Sequence, residues 1–147
     1  MGALNLPESS LIYLDTSAVI YSVERVPDYF SLLAPMWQKL QDDEIAIASS
    51  ELTLLESLVL PLRNNNTALV SNYEQLLLGS KVQLIPISQI ILRDAAQLRA
   101  STKLKTPDAI HAATALSENC SSFLTNDSGF RSVSGLPVVV LRDVLIS

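Results

Sequence analysis

A single cysteine, a single histidine, four glycines and ten basic residues in 147 positions rule out several common chemistries before any motif is considered. Cys120 alone cannot close an internal disulfide. With His111 as the one imidazole, a zinc site of the Cys/His type cannot be assembled, so any metal must be held by oxygen. Gly2, Gly79, Gly129 and Gly135 form neither G-x-G-x-x-G nor G-x-x-x-x-G-K-[ST], which excludes a dinucleotide loop and a P-loop. The G-x-S-x-G elbow of a serine hydrolase is also missing. No apolar run approaches the roughly 18 residues of a membrane span. Residues 1 to 10, "MGALNLPESS", have no basic start leading into an apolar segment, and "MGALNL" lacks the Ser/Thr that follows a myristoylated glycine. The expectation is a soluble, cytoplasmic protein with no membrane partner. Fifteen acidic residues outweigh the basic ones, for a net charge of −5 and a sequence pI near 4.7, which argues against a surface that coats polyanions. Arg93, Arg99, Lys103 and Lys105 do crowd together, but such a group reads first as a solvated helix face.

What is present is apolar and ordered in pattern. Hydrophobic residues make up 48% and charged residues 17%, which excludes disorder, and the length suits one domain over 1–147 with its informative core at about 11–142. Short runs rich in Ile, Val and Leu, "LIYL" (11 to 14), "IAIA" (45 to 48), "QLIPI" (83 to 87), "SFLT" (122 to 125) and "VVVL" (138 to 141), alternate with longer helical patterns. Leu52, Leu55, Val59 and Leu62 share one helical face, as do Ala109, Ala112, Ala113 and Leu116. "RNNNTA" at 63 to 68 reads as a helix break. Strands joined by helices predict an α/β fold with a mostly parallel sheet covered on both faces. In such folds ligands gather at the carboxyl ends of the strands.

Two carboxylates fall at those ends. Asp15 follows "LIYL" with no Lys or Arg nearer in sequence than Arg25, and Asp127 closes "SSFLTND". Each has an ordinary explanation: Asp15 or Thr16 as the N-cap of a helix from Ala18, and Asp127 as a turn residue in "NDSG". Asp108 reads as a first-turn acid, with Thr106 as N-cap and Pro107 as the first helical residue. Glu56 stands among Leu52, Val59 and Leu60 on its helix, which predicts a half-buried position, whereas Glu51 after Ser49 and Ser50 is another first-turn acid and only a reserve candidate. Jointly the four acids are more telling than singly. Several carboxylates within a few ångströms raise one another's pKa unless a cation screens them, and oxygen-only ligands suit Mg²⁺ or Mn²⁺.

"LIYLDTSAVI", "LTLLESLVLPLR", "KTPDAIHAATAL" and "FLTNDSGF", in that order, resemble the four acidic motifs of the PIN domain, and in size and wording the VapC-type toxins of bacterial toxin–antitoxin pairs. The resemblance spans about 15 to 140. It implies an α/β/α sandwich and a Mg²⁺- or Mn²⁺-dependent ribonuclease cutting RNA, usually a homodimer held inactive by a cognate antitoxin. By motif match, Asp15, Glu56, Asp108 and Asp127 are the catalytic acids. Asp15, Asp108 and Asp127 would hold metal, while Glu56 could join them or orient and deprotonate water. Ser17, Thr125 and Asn126 fall in supporting positions. The alternative is a catalytically inactive PIN-like domain that binds RNA or protein.

The remaining residues of note have plainer readings. His111 lies three after Asp108 on the same side of its helix, and a lone histidine on an Ala-rich helix reads as a packed, hydrogen-bonded residue. Cys120 reads as a small core residue. Tyr29, Phe30, Met36 and Trp37 could line a groove for a partner helix, with burial in the core the plainer reading. A receiver-like phosphoacceptor is disfavoured because "LIYLD" offers one acid where that site has a pair, and a D-x-D phosphatase because Ser17 stands two after Asp15.

Overall fold

The structure is a computed structural model and describes residues 2–147. Five strands, β1 (Leu11–Leu14), β2 (Ala46–Ser50), β3 (Gln83–Ile85), β4 (Ser122–Thr125) and β5 (Val138–Val140), form one sheet in the order β3-β2-β1-β4-β5. Every pairing is parallel, with Tyr13 opposite Ala48 on one side and Phe123 on the other. Parallel neighbours need crossovers, and six helices supply them from β1 to β4: α1 (Thr16–Val23), α2 (Tyr29–Gln41), α3 (Glu51–Arg63), α4 (Thr67–Leu78), α5 (Gln89–Ser101) and α6 (Thr106–Ser117); a 3₁₀ turn links β4 to β5, and α7 (Leu141–Ile146) follows the last strand. The apolar runs set the strands closely. "QLIPI" is cut back to Gln83–Ile85, ahead of Pro86, which has no N–H to give a ladder.

Side chains alternate across the sheet. Ile12 and Leu14 enter a core built with Leu33 and Met36 of α2, Tyr73 and Leu77 of α4, and Leu141 of α7. Tyr13 points the other way, into a core with Ile91 and Ala95 of α5 and Ala109, Ala112 and Ala113 of α6. The alanines let α6 lie close to the sheet, and Tyr13 stacks on Phe123 with ring centroids 5.1 Å apart and planes within 4°. The result is an α/β/α sandwich.

β1 is the first strand and the central one. From it the chain winds outward through β2 and β3, then returns to the other side of β1 for β4 and β5. The connections therefore diverge at the carboxyl end of β1, opening a crevice between it and β4.

Two local expectations are corrected. On α3 the stripe of Leu52, Leu55, Val59 and Leu62 leaves the core after Leu52: Leu55 is 63% and Leu62 58% exposed, while Thr53, Ser57 and Pro61 are buried. Glu56 is still half-buried, but its apolar helix neighbours are not the reason, since Leu60 is itself 59% exposed. The buried polar face exists because Thr53 can bond Ser49 Oγ at 2.8 Å, and Ser49 donates to the Leu14 carbonyl at 2.7 Å. The second correction is at α6, which starts one residue early, with Lys105 rather than Thr106 at the N-cap. Arg99 Nη1 donates to the Thr106 hydroxyl at 2.9 Å, so that oxygen is engaged elsewhere.

Candidate active site

Asp15 sits where β1 becomes α1, and the turn accounts for its position. Its Oδ1 accepts the Ala18 N–H at 3.1 Å and the Ser17 hydroxyl at 2.6 Å, so it is the N-cap as well as the carboxylate at the crevice. It is only 7% exposed. Burial pushes its carboxyl above the usual range, opposed by hydrogen bonds from Ser17, Thr125 and the Ala18 amide. Asp127 follows β4, and its Oδ1 accepts the Gly129 N–H at 2.8 Å, starting a 3₁₀ turn. Thr125, wholly buried, accepts the Asp127 N–H at 3.0 Å and so couples the two acids through one hydroxyl.

Asp108 enters from the first turn of α6. Burial raises its carboxyl pKa and the Asp127 charge raises it further; His111 opposes them, and Asp15 and Glu56 add smaller raising effects. Glu56 comes from α3 and behaves differently. Burial acts to raise it, but hydrogen bonds from His111 and Thr16 bring it below its ordinary value. Its Oε1 accepts Thr16 Oγ1 at 2.6 Å and lies 2.9 Å from His111 Nε2.

The four acids thus come from β1, α3, α6 and the end of β4, and all line one open cleft of about 320 Å³ together with Thr16, Ser17, Tyr21, His111, Asn126 and Phe130. Among the described residues, Lys or Arg pairs with Glu44, Asp43 and Asp143, and with none of these four. The cleft is therefore a cluster of carboxylates without a protein ammonium or guanidinium to neutralise it. Its donors are oxygens, which fits a hard divalent cation. No three His, Cys, Asp or Glu side chains among the described residues converge into a ready metal cage. A cation bound by one or two carboxylates and keeping several waters, the habit of Mg²⁺, is the mode this donor set suits.

The supporting residues divide. Ser17 and Thr125 act directly on Asp15. Asn126 braces the rim: its Nδ2 donates to the Tyr21 and Tyr29 hydroxyls at 3.1 and 2.9 Å, and its Oδ1 accepts the Arg142 N–H at 2.9 Å. Glu51 is taken up by the Ile87 N–H at 3.1 Å and stays outside the cleft. His111 is the packed, hydrogen-bonded residue its surroundings predicted, 2% exposed. Cys120 is buried in the α5–α6 core. Of the aromatic group, Met36 is wholly buried, Tyr29 stacks on Tyr21 at 4.4 Å, and Phe30 and Trp37 line a larger groove of about 1060 Å³ between α2 and α4. Trp37 Nε1 donates to Ser22 Oγ at 2.8 Å there.

Two further participants carry a signal that local pattern leaves unmarked. Thr16 lies inside "LDTS", where a cap accounts for it, yet its hydroxyl reaches Glu56 across 40 residues of sequence. Tyr13 counts as one more strand hydrophobe until its phenol is asked for a partner, which every buried tyrosine hydroxyl needs.

A PIN domain family model matches residues 12–136. Solved structures resemble the chain across most of its length. VapBC2 from Rickettsia felis, bound to a promoter DNA fragment, is 21% identical with a TM-score of 0.70, covering 88% of this chain and 97% of the other. A toxin–antitoxin complex from Klebsiella pneumoniae is 27% identical with a TM-score of 0.55 over 88% and 97%. VapBC-1 from nontypeable Haemophilus influenzae is 19% identical with a TM-score of 0.71 over 90% and 98%. No curated protein matches significantly.

Proposed function

The chain belongs to the PIN-domain family, and from that premise we propose that it is a Mg²⁺- or Mn²⁺-dependent endoribonuclease, the toxin of a toxin–antitoxin pair. The observation that carries the reading is the convergence of Asp15, Glu56, Asp108 and Asp127 on one cleft without a paired Lys or Arg. An empty acidic cleft repels a phosphodiester, so the arrangement makes chemical sense only with a divalent cation between acids and substrate. When bound, such a cation supplies charge neutralisation at the phosphoryl oxygens and acidifies water.

The chain's own residues do the rest. Asp15, Asp108 and Asp127 are the carboxylates placed to hold the cation. Ser17 and the Ala18 amide keep Asp15 in one orientation, which limits how far its charge can wander. Glu56, held ionised by its two donors, is the base placed to orient an attacking water and take its proton; Oε1 is occupied, and Oε2 is the oxygen left to do so. RNA is the substrate class that membership of the PIN-domain family supports.

The solved relatives that include VapBC complexes and a toxin–antitoxin complex support a cognate antitoxin as partner. A homodimer is supported by α3, where Leu55, Val59 and Leu62 form an exposed apolar stripe along the edge of the cleft. No described helix is long and apolar enough to cross a membrane, and a cytoplasmic site of action follows from an RNA target.

The test is cleavage of total RNA by antitoxin-free protein in EDTA, Mg²⁺ or Mn²⁺, beside folded Asp15→Asn and Glu56→Gln variants. Discrete fragments that need the cation and vanish in both variants are the expected result. A folded wild type that cuts nothing with any divalent ion, yet binds RNA, would move the inactive binding module ahead.

A further inference from the structure

Beneath the cleft lies a polar chain that the carboxylate cluster does not explain. Tyr13, on the central strand and wholly buried, places its hydroxyl 2.7 Å from His111 Nδ1. The opposite ring nitrogen, Nε2, is 2.9 Å from Glu56 Oε1 and 3.2 Å from Thr16 Oγ1. Thr16 itself donates to Glu56. Two elements, α1 and α6, therefore meet at a single carboxylate oxygen of α3, and β1 joins them one bond further back through His111.

The protons can be assigned from the neighbours. An ionised carboxylate only accepts, so the hydrogen on this side of the ring sits on Nε2. In a neutral imidazole Nδ1 is then an acceptor, and the Tyr13 hydroxyl donates to it. A cationic ring would turn both nitrogens into donors and leave the buried phenol proton pointing at one of them. We infer that Tyr13 and His111 form a positioning relay, in which the phenol selects the Nε2–H tautomer and the ring, with Thr16, pins Glu56 Oε1 so that its second oxygen faces the cleft.

The inference deepens the nuclease reading and rests on it for its consequence in turnover, while the relay itself can be observed without RNA. The geometry explains a pairing the sequence leaves unexplained, a tyrosine inside a strand of aliphatic residues and a histidine 98 positions away. It also separates two kinds of acid in the cleft. Asp15 and Asp127 are held by their own local turns, whereas Glu56 has no bond from its own helix and depends on long-range partners. Such outer partners, when removed, typically cost about 10–100-fold in activity or ligand affinity.

Because His111 is the only histidine, ¹⁵N labelling of its ring gives one unambiguous set of resonances. The expected spectrum of the metal-free protein shows Nε2 protonated and Nδ1 bare. Tyr13→Phe, which removes one oxygen from a stacked ring, should shift Nδ1 and move the Glu56 carboxyl ¹³C resonance. In turnover, Tyr13→Phe should lower kcat about 10-fold with KM for RNA unchanged, and His111→Gln, which can still donate to Glu56, should retain more kcat than His111→Ala. A proton on Nδ1, or a Tyr13→Phe protein whose Glu56 resonance does not move, overturns the relay whether or not the protein cuts RNA. If the spectra are as expected but wild type cuts no RNA under any metal, the nuclease reading fails and the relay stands as a structural fact. If RNA is cut and Tyr13→Phe turns over like wild type, the positioning role is wrong.

Discussion

Asp108→Asn should stabilise the metal-free protein while abolishing cleavage, and the sign of that effect tests the electrostatic reasoning directly. Two forces oppose each other at this carboxylate. It lies in the first turn of α6, where the helix dipole favours a negative charge by about 0.3–1 kcal/mol at an exposed site. Against that stand the charges of Asp127, Asp15 and Glu56 across the same cleft and the cost of burial. Like charges on the order of 8 Å apart at an effective dielectric of about 60 repel by ~0.7 kcal/mol each. Salt and partial exposure cut this to roughly half, leaving about 1 kcal/mol for three neighbours. The raised pKa of Asp108 agrees that the unfavourable side wins. With the dipole's share subtracted and the relief of burial added, the net gain on neutralising it is about 0.5 kcal/mol, or about 1–2 °C in melting temperature for a chain of this size. The assay is thermal unfolding in EDTA at pH 7 and low salt. The gain should shrink in 1 M salt, where the screening length is about 3 Å. Adding Mg²⁺ should raise wild type more than the variant, by up to about 2.7 kcal/mol at a hundredfold excess over Kd. A variant less stable than wild type in EDTA at low salt would show that the dipole or a local hydrogen bond dominates, and that the cleft is not under repulsion.

The pH dependence follows from the same groups. Asp15 and Asp108 have raised pKa values, so the folded state holds more protons and stability falls as pH rises from the ordinary carboxylate range through the raised values. Glu56, lowered, contributes stability that is present above its ordinary value and lost as pH falls through its folded value. Chemical denaturation of the metal-free protein should therefore show greater stability in mildly acid buffer than at pH 7, and saturating Mg²⁺ should remove the difference. Ser17→Ala deletes the 2.6 Å donor to Asp15 and should cost about 1.5 kcal/mol at neutral pH, less once Asp15 is protonated, as read by urea titration at two pH values. Leu55→Glu together with Leu62→Glu should leave circular dichroism and the melting transition nearly unchanged, since both side chains face solvent, while converting a dimer to a monomer in sedimentation. A wild type that already sediments as a monomer would remove the reason for that stripe.

Much of the fold can be read locally. Each strand is a short run of β-branched and aliphatic residues, so the α/β alternation and the parallel sheet follow from composition and period alone. Asp15, Asp108 and Asp127 were legible for the same reason: each sits at the end of a strand or the start of a helix, a position defined within a few residues of sequence. Glu56 was placed correctly on a mistaken ground. The apolar stripe of α3 suggested the buried face, but a helix period says which residues share a side and not which side meets the core. Here the core side is Thr53, Ser57 and Pro61, and the choice was made by hydroxyl bonds to Ser49 on another element.

What the amino-acid order determined by itself was the set of elements, the sheet's connectivity class and the three acids at strand ends and a helix start along its edge. Tertiary structure alone decided that β1 is central, so that the chain diverges at Asp15, and that α3 turns Leu55, Leu60 and Leu62 outward. It alone joined Tyr13, Thr16 and His111 to Glu56. Those bonds span 40 to 98 residues, and no local pattern encodes them, because a hydrogen bond depends on where two atoms meet in space and the sequence records only the order in which they are strung.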